Sequence, residues 1–286
     1  MPVSARGFFH EPTFSVSYLL ADQATRSAAV IDAVLDYDAK SGRTGTGHAD
    51  ALLAAAATDG LKIEHILETH VHADHISAAS YLKGRTGAKI GIGARMTEVR
   101  STFAKLFNLG AAAAGTMPFD TLFRDSDRIS LGQSSITVWE TPGHTPACIS
   151  YLVDDAIFVG DTLFMPDYGT ARCDFPGGNA ATLYRSIQRM FALPPETRMF
   201  LCHDYKAPGR DEYRWETTVG AQRASNLHIG GGASEAQFVA MREARDKTLS
   251  LPALIIPAVQ LNIRAGDFPP PESNGVSYLK TPLNLL

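Results

Sequence analysis

The chain has 286 residues, 45% of them apolar and 20% charged, an ordinary balance for a globular protein able to bury a sizeable core. Its net charge of -4 gives no reason to expect nucleic acid or an acidic lipid surface as a partner. No apolar run approaches bilayer-spanning length, residues 1–10 lack the pattern of a secretory signal, and Cys148, Cys173 and Cys202 are a poor disulfide framework, so a reducing, cytoplasmic setting is expected.

Strand and helix signals alternate along the chain. Residues 14–20 and 28–31 read as two strands joined by a polar turn around Asp22 and Thr25. Residues 51–57 read as an Ala-rich helix and 65–68 as a short buried strand. Residues 76–83 read as a helix stopped by Gly84, with Asp74 placed to cap it. A strand at 90–92, a helix at 96–107 and an Ala/Gly-rich flexible loop at 109–118 follow. From Arg128 the pattern turns to β, at 129–131, 135–140, 149–153 and 156–158. A helix at 181–191 and a short strand at 199–201 come next. Beyond His203 the chain changes character, with helices at 215–226 and 233–248, a mixed stretch at 252–268 and a surface tail from Pro269. The order predicts an α/β protein, an αββα sandwich of two mixed sheets flanked by helices. One domain over 1–286 is expected, with 207–286 as a C-terminal helical extension packed on it.

The run Glu68-Thr69-His70-Val71-His72-Ala73-Asp74-His75 crowds three imidazoles and a carboxylate together. In extended backbone, residues two apart point the same way, so His70 and His72 share a centre. Asp74 and His75 follow at a turn, within reach of a second centre beside the first. Protonated, these groups repel or need separate partners; around a divalent cation all are satisfied at once. Three later segments, each after a β stretch, add to the set. Thr141-Pro142-Gly143-His144 holds a His in a tight turn, Gly160-Asp161-Thr162 sets a carboxylate at a strand end, and Cys202-His203-Asp204-Tyr205 ends another strand. His10, His48, His65 and His228 have no such context and read as surface or packing residues.

The order HxHxDH, GHT, GD and a late His resembles the metallo-β-lactamase superfamily, whose αββα sandwich carries a metal site at one edge. The longer strings THVHADHIS, TPGHTPACISY, GDTLFMPDYGTARCDFPGG and HDYKAPGRDEYRWETT, with the tail QLNIRAGDFPPPESNGVSYLKTPLN, resemble its persulfide dioxygenase branch. That resemblance implies one Fe(II) per chain on His70, His144 and Asp161, with positions left open for water, substrate sulfur and O2. The activity it implies is oxidation of glutathione persulfide with O2 to sulfite and glutathione, a sulfide detoxification. His72, Asp74, His75 and His203 then orient the site rather than hold a second metal. Tyr205 is placed to aim its hydroxyl at bound sulfur or oxygen. Arg172 matches a family arginine whose fork suits a glutathione carboxylate, with Asp174 orienting it; the spacer before Arg172 is longer than in some members. Cys148 and Cys173 read as packed thiols.

A glyoxalase II-like hydroxyacylglutathione thioester hydrolase with two zinc ions needs His70, His72, Asp74, His75, His144, Asp161 and His203, and all are present. Ligand types therefore leave one iron and two zincs open. The run from Pro166 to Arg172 replaces that enzyme's short glycine-cysteine-glycine-arginine turn, and the tail is short for its helical glutathione-binding domain; both favour the dioxygenase. A persulfide sensor without turnover is the non-enzymatic reading, although no DNA-binding helix pair or basic face is apparent. The Pro-rich tail and C-terminal helices are compatible with a homodimer.

Overall fold

Both faces of the strands β2 (Ser15–Asp22) and β3 (Ser27–Ile31) are buried, so alternate side chains enter different cores. Leu19, Ala21, Ala28 and Val30 face a cluster that includes Leu52, Leu82, Met96, Phe103 and Val259 from helices. Tyr18, Leu20, Ala29 and Ile31 face another, made with Ile136, Val138, Tyr151, Phe158 and Phe200 of a second sheet. On that sheet's far side, Ile157 and Met199 pack against Leu183, Ile187, Met190 and Phe238. The layers therefore run helix, sheet, sheet, helix, as the sequence predicts.

The computed structural model describes residues 3–109 and 117–285. The first sheet has β1 (Ser4–His10), β2, β3, β6 (Lys62–Leu67), β8 (Lys89–Gly93) and β9 (Thr121–Phe123) in that spatial order. It is antiparallel through β3 and parallel from there on. The second runs β10 (Arg128–Leu131), β11 (Ser134–Glu140), β12 (Ile149–Val153), β13 (Ala156–Phe158), β14 (Arg198–Phe200) and β15 (Glu216–Thr218), antiparallel except between β13 and β14. A small sheet joins β4 (Val34–Asp38), β5 (Arg43–Gly45) and β7 (Ile76–Ser77). The helices are α1 (Gly47–Thr58), α2 (Ala79–Thr86), α3 (Met96–Leu106), α4 (Ala180–Phe191), α5 (Val219–Ser225), α6 (Glu235–Asp246) and α7 (Ile255–Asn262). None of the described helices is long and apolar enough to cross a membrane.

Several boundaries differ from the sequence reading. β1, β4, β5 and β9 were not expected, because these strands gain their stability from partners the local pattern does not reveal. Ile76 and Ser77 pair with Val34 and Leu35 instead of opening a helix, and α2 starts after Ala78 with no side-chain cap. Asp74 therefore caps nothing. Gly84 lies within α2, which ends instead at Gly87 in the left-handed conformation. The helix expected at 215–226 opens as β15, where Thr217 and Thr218 favour extended backbone; α5 starts once Thr218 Oγ1 accepts the Ala221 N–H at 3.1 Å. Most of the loop expected at 109–118 lies outside the described residues. Beyond 207 the chain joins both helical layers, α6 packing on α4 and α7 beneath the first sheet.

Candidate metal centre

The run 68–75 leaves β6 as an irregular loop, not as the strand assumed for the period-two argument. Its shape is set by hydrogen bonds from distant segments. Asp32, buried at the end of β3, accepts from Thr69 N at 2.7 Å, Thr69 Oγ1 at 2.8 Å and Cys202 Sγ at 3.7 Å. Asn262, at the end of α7, donates to the carbonyls of His72 and His75 at 2.8 and 2.7 Å. Ile149 N donates to the Thr69 carbonyl, tying the second sheet to the loop. Asp161 arrives in a short 3-10 turn, Gly160–Thr162, at the end of β13. Gly160 has φ +52°, and a Cβ there would lie 2.6 Å from Thr69 Oγ1. Gly160→Ala is therefore expected to destabilise the fold by about 2 kcal/mol and to weaken metal retention through Thr69 and His70. A urea melt and metal content after dialysis check both.

Each imidazole anchors one nitrogen on the protein and leaves the other bare. Thr69 Oγ1 gives its proton to Asp32, so it accepts from His70 Nδ1 at 3.0 Å. His144 Nδ1 donates to the Arg172 carbonyl at 2.8 Å and His203 Nδ1 to the Phe14 carbonyl at 3.2 Å. His72 Nε2 donates to Asp32 Oδ1 at 3.0 Å, with Glu68 Oε2 at 3.2 Å, while His75 Nδ1 meets Ser15 Oγ at 3.2 Å. The outcome is a set of buried atoms without hydrogen-bond partners: His70 Nε2, His72 Nδ1, His75 Nε2, His203 Nε2 and Asp161 Oδ1. Each buried orphan costs about 1–3 kcal/mol, so this many in one place fit a metal and little else.

Asp161 faces two ways. Its Oδ2 lies 3.8 Å from His70 Nε2 and 3.7 Å from His144 Nε2, while its Oδ1 lies 3.3 Å from His203 Nε2. Asp74 Oδ2 is 2.9 Å from that same His203 nitrogen. Donor atoms of His70, His144 and Asp161 lie within 4.8 Å of one another, as do those of His72, Asp74 and His75, and those of Asp161, Cys202 and His203. Burial, then the nearby His72, holds both His70 and His75 below the usual imidazole range, His75 at about 4, so both stay neutral as a ligand must. His203 behaves oppositely. Burial opposes its charge, but Asp74 and Asp161 lift it to about 9, a proton satisfying the position a cation would otherwise take.

A cavity of about 380 Å³ opens on Asp74, His144 and Asp161. Tyr205 lines it, 36% exposed, its ring stacked on His203 at 5.5 Å and its hydroxyl without a hydrogen-bond partner among the described residues. Arg172 also lines it, but its fork, expected to meet a carboxylate with Asp174 orienting it, is taken up within the protein. Nε and Nη2 donate to Asp174 at 2.6 and 2.7 Å and Nη1 to the Ser250 carbonyl at 2.6 Å. Asp174 saturates Arg172 rather than aiming it at a ligand, and the contact of Arg172 with the centre is its carbonyl on His144. Burial pushes the Cys148 thiol up to about 12 and the Cys173 thiol well up too, as packed thiols require. His10, His48 and His65 make packing hydrogen bonds with Thr13, Ser17 and the Ser130 carbonyl. His228 does not fit that group, because it lines the cavity. Asp32, Glu68, Asn262 and Arg245 were missed as well; of these only Asp32, a lone carboxylate ending the apolar run 28–31, carries a local signal.

An αββα fold with a His/Asp cluster at the ends of its strands defines a metal-dependent enzyme class. Residues 10–203 match the family model described as the metallo-beta-lactamase superfamily, and the chain belongs to that superfamily. A probable metallo-hydrolase of Burkholderia pseudomallei is 52% identical, covering 99% of this chain and 100% of its own length. A protein named glyoxylase B2 from Dictyostelium discoideum is 46% identical over 94% of this chain and 92% of its own. The mitochondrial persulfide dioxygenase ETHE1 of Mus musculus is 30% identical over 94% and 91%. Among solved structures, ETHE1 from Myxococcus xanthus aligns with a TM-score of 0.75 and 33% identity, covering 92% of this chain and 100% of that one. The chain spans 64% of the length of a beta-lactamase hydrolase-like protein of Xylella fastidiosa that it matches at 51% identity.

Proposed function

We propose that this chain is a persulfide dioxygenase that holds one Fe(II) on His70, His144 and Asp161 and oxidises glutathione persulfide with O2 to sulfite and glutathione. What carries the reading is a two-imidazole, one-carboxylate face opening on a cavity, in a chain alike over 92% of its length to ETHE1 of Myxococcus xanthus. Fe(II) bound there would supply open coordination positions and a redox-active link between sulfur and O2, the four electrons that reduce O2 coming from the persulfide itself. The rest falls to the protein. The Arg172 carbonyl and the Thr69–Asp32 pair fix the two imidazoles. Phe164, Phe175 and Leu254 give the cavity apolar walls that keep bulk water off a reactive sulfur. The Tyr205 hydroxyl is available to donate to the outer sulfur or its oxygens, and His203 Nε2 lies beside Asp74 and Asp161. In the balanced reaction the outer sulfur leaves as sulfite, water supplies the third oxygen, and two protons are released.

The bare nitrogens of His72 and His75 beside Asp74, and the second oxygen of Asp161 3.3 Å from His203 Nε2, favour one other reading, a dizinc thioester hydrolase. Protein purified without added metal is expected to carry about one iron per chain and to take up O2 with glutathione persulfide. Two zincs with hydrolysis of S-lactoylglutathione and no oxygen uptake would replace the proposal by the hydrolase. His203→Ala is expected to keep the iron while lowering turnover by about 10–100-fold. Loss of a full metal equivalent in that variant supports the two-metal site.

A further inference from the structure

Three guanidinium groups line the metal cavity, and only one lacks a carboxylate. Arg172 is matched by Asp174 and Arg242 by Asp246. Arg245, in the last turn of α6, is exposed, and its guanidinium has no hydrogen-bond or ion-pair partner among the described residues. Beside it in the cavity wall is His228. The Thr170 N–H donates to His228 Nδ1 at 2.9 Å, so the proton of the neutral ring sits on Nε2. Nε2 has no partner among the described residues. Burial, then Arg242 and Arg245, keeps His228 neutral by lowering it to about 4.

The chain goes to some length to hold that ring. Gly169 has φ +107°, and a Cβ there would stand 2.1 Å from His228 Nδ1, so the backbone passes His228 at a distance only glycine permits. Asn226 braces the same corner, donating to the Gly169 carbonyl at 3.0 Å and accepting from His228 N at 2.9 Å. A surface histidine needs no such support. The corner thus presents one unneutralised, always-charged fork and one neutral N–H donor next to the apolar side chains of Leu249 and Pro252. Two kinds of donor suit the two oxygens of a carboxylate.

We infer that Arg245 and His228 form a subsite for a carboxylate of the thiol substrate, holding its tail while its sulfur reaches His70, His144 and Asp161. The inference rests on the proposed reading that the substrate is a glutathione-class persulfide, and it moves the carboxylate contact from Arg172 to Arg245. It predicts that the protein discriminates among thiols by a charge remote from the sulfur.

Calorimetric binding to the iron-loaded protein tests this with glutathione and with glutathione amidated at each carboxyl in turn. One of the two amides is expected to bind about tenfold more weakly than glutathione. Arg245→Gln is expected to lose that difference while keeping its melting temperature, since the side chain has no partner to lose. Equal binding of all three ligands by the unmodified protein overturns the inference. So does an Arg245→Gln variant that still discriminates. Oxygen uptake with glutathione persulfide is recorded on the same samples. Uptake without carboxylate discrimination removes the subsite alone, whereas Arg245-dependent discrimination without uptake removes the dioxygenase reading and keeps the subsite.

Discussion

Asp161→Ala is expected to abolish metal retention and turnover together. Among the described residues Asp161 is the only carboxylate grouped with His70 and His144, and its other oxygen faces His203. Removing it strips the negative charge from both positions and leaves two imidazoles, a weak site for a divalent cation. The loss should exceed the roughly 10–100-fold that removing a supporting residue costs. The fold should survive, because the Asp161 side chain makes no hydrogen bond to the described protein. Elemental analysis, oxygen uptake and far-UV circular dichroism on one preparation separate these outcomes. An iron-replete, active variant would falsify the ligand assignment.

Arg242→Ala is expected to cause the largest loss of stability. Arg242 is 1% exposed on α6; Nε and Nη2 reach Asp246 Oδ1 at 2.8 and 2.7 Å, and Nη1 donates to the Thr170 carbonyl at 3.0 Å. The other oxygen of Asp246 accepts the Cys173 N–H at 2.8 Å. Truncating the arginine leaves a buried carboxylate uncompensated, at a cost of about 3–5 kcal/mol. For a chain of this size the melting temperature should fall by about 10 °C. Replacing both partners with apolar residues, Arg242→Met with Asp246→Leu, should recover much of the loss, because the stranded charge goes with its partner. A drop below about 1 kcal/mol in the single variant contradicts this account. The Michaelis constant should rise as well, since Thr170 and Cys173 flank the loop that walls the cavity.

The metal cluster was legible because its chemistry is local. Four candidate ligands in six residues announce a cation whatever backbone carries them, and the αββα order followed from alternating strand and helix patterns. The reason given for His70 and His72 was nevertheless wrong. Their loop is irregular, and the rings sit 4.1 Å apart with His72 turned so that Nε2 meets Asp32. Nothing within the run 68–75 reveals that partner, which comes from the end of β3. Arg172 misled in the opposite direction. The family position it matches implied a fork for a glutathione carboxylate with Asp174 orienting it, whereas Asp174 and the distant Ser250 carbonyl take up the fork themselves. His228 and Arg245 carry no motif. They became functional candidates only when the fold brought α6 and the segment before it to the cavity wall.

The stitching of Asn262 to the carbonyls of His72 and His75 has a consequence for biosynthesis. A nascent chain displays every cation-binding side chain long before α7 leaves the ribosome. Until that helix docks, the loop lacks the clasp that sets the spacing of its imidazoles. Gathering of the metal ligands into one centre thereby waits on the docking of a helix that lies downstream of all of them in the chain.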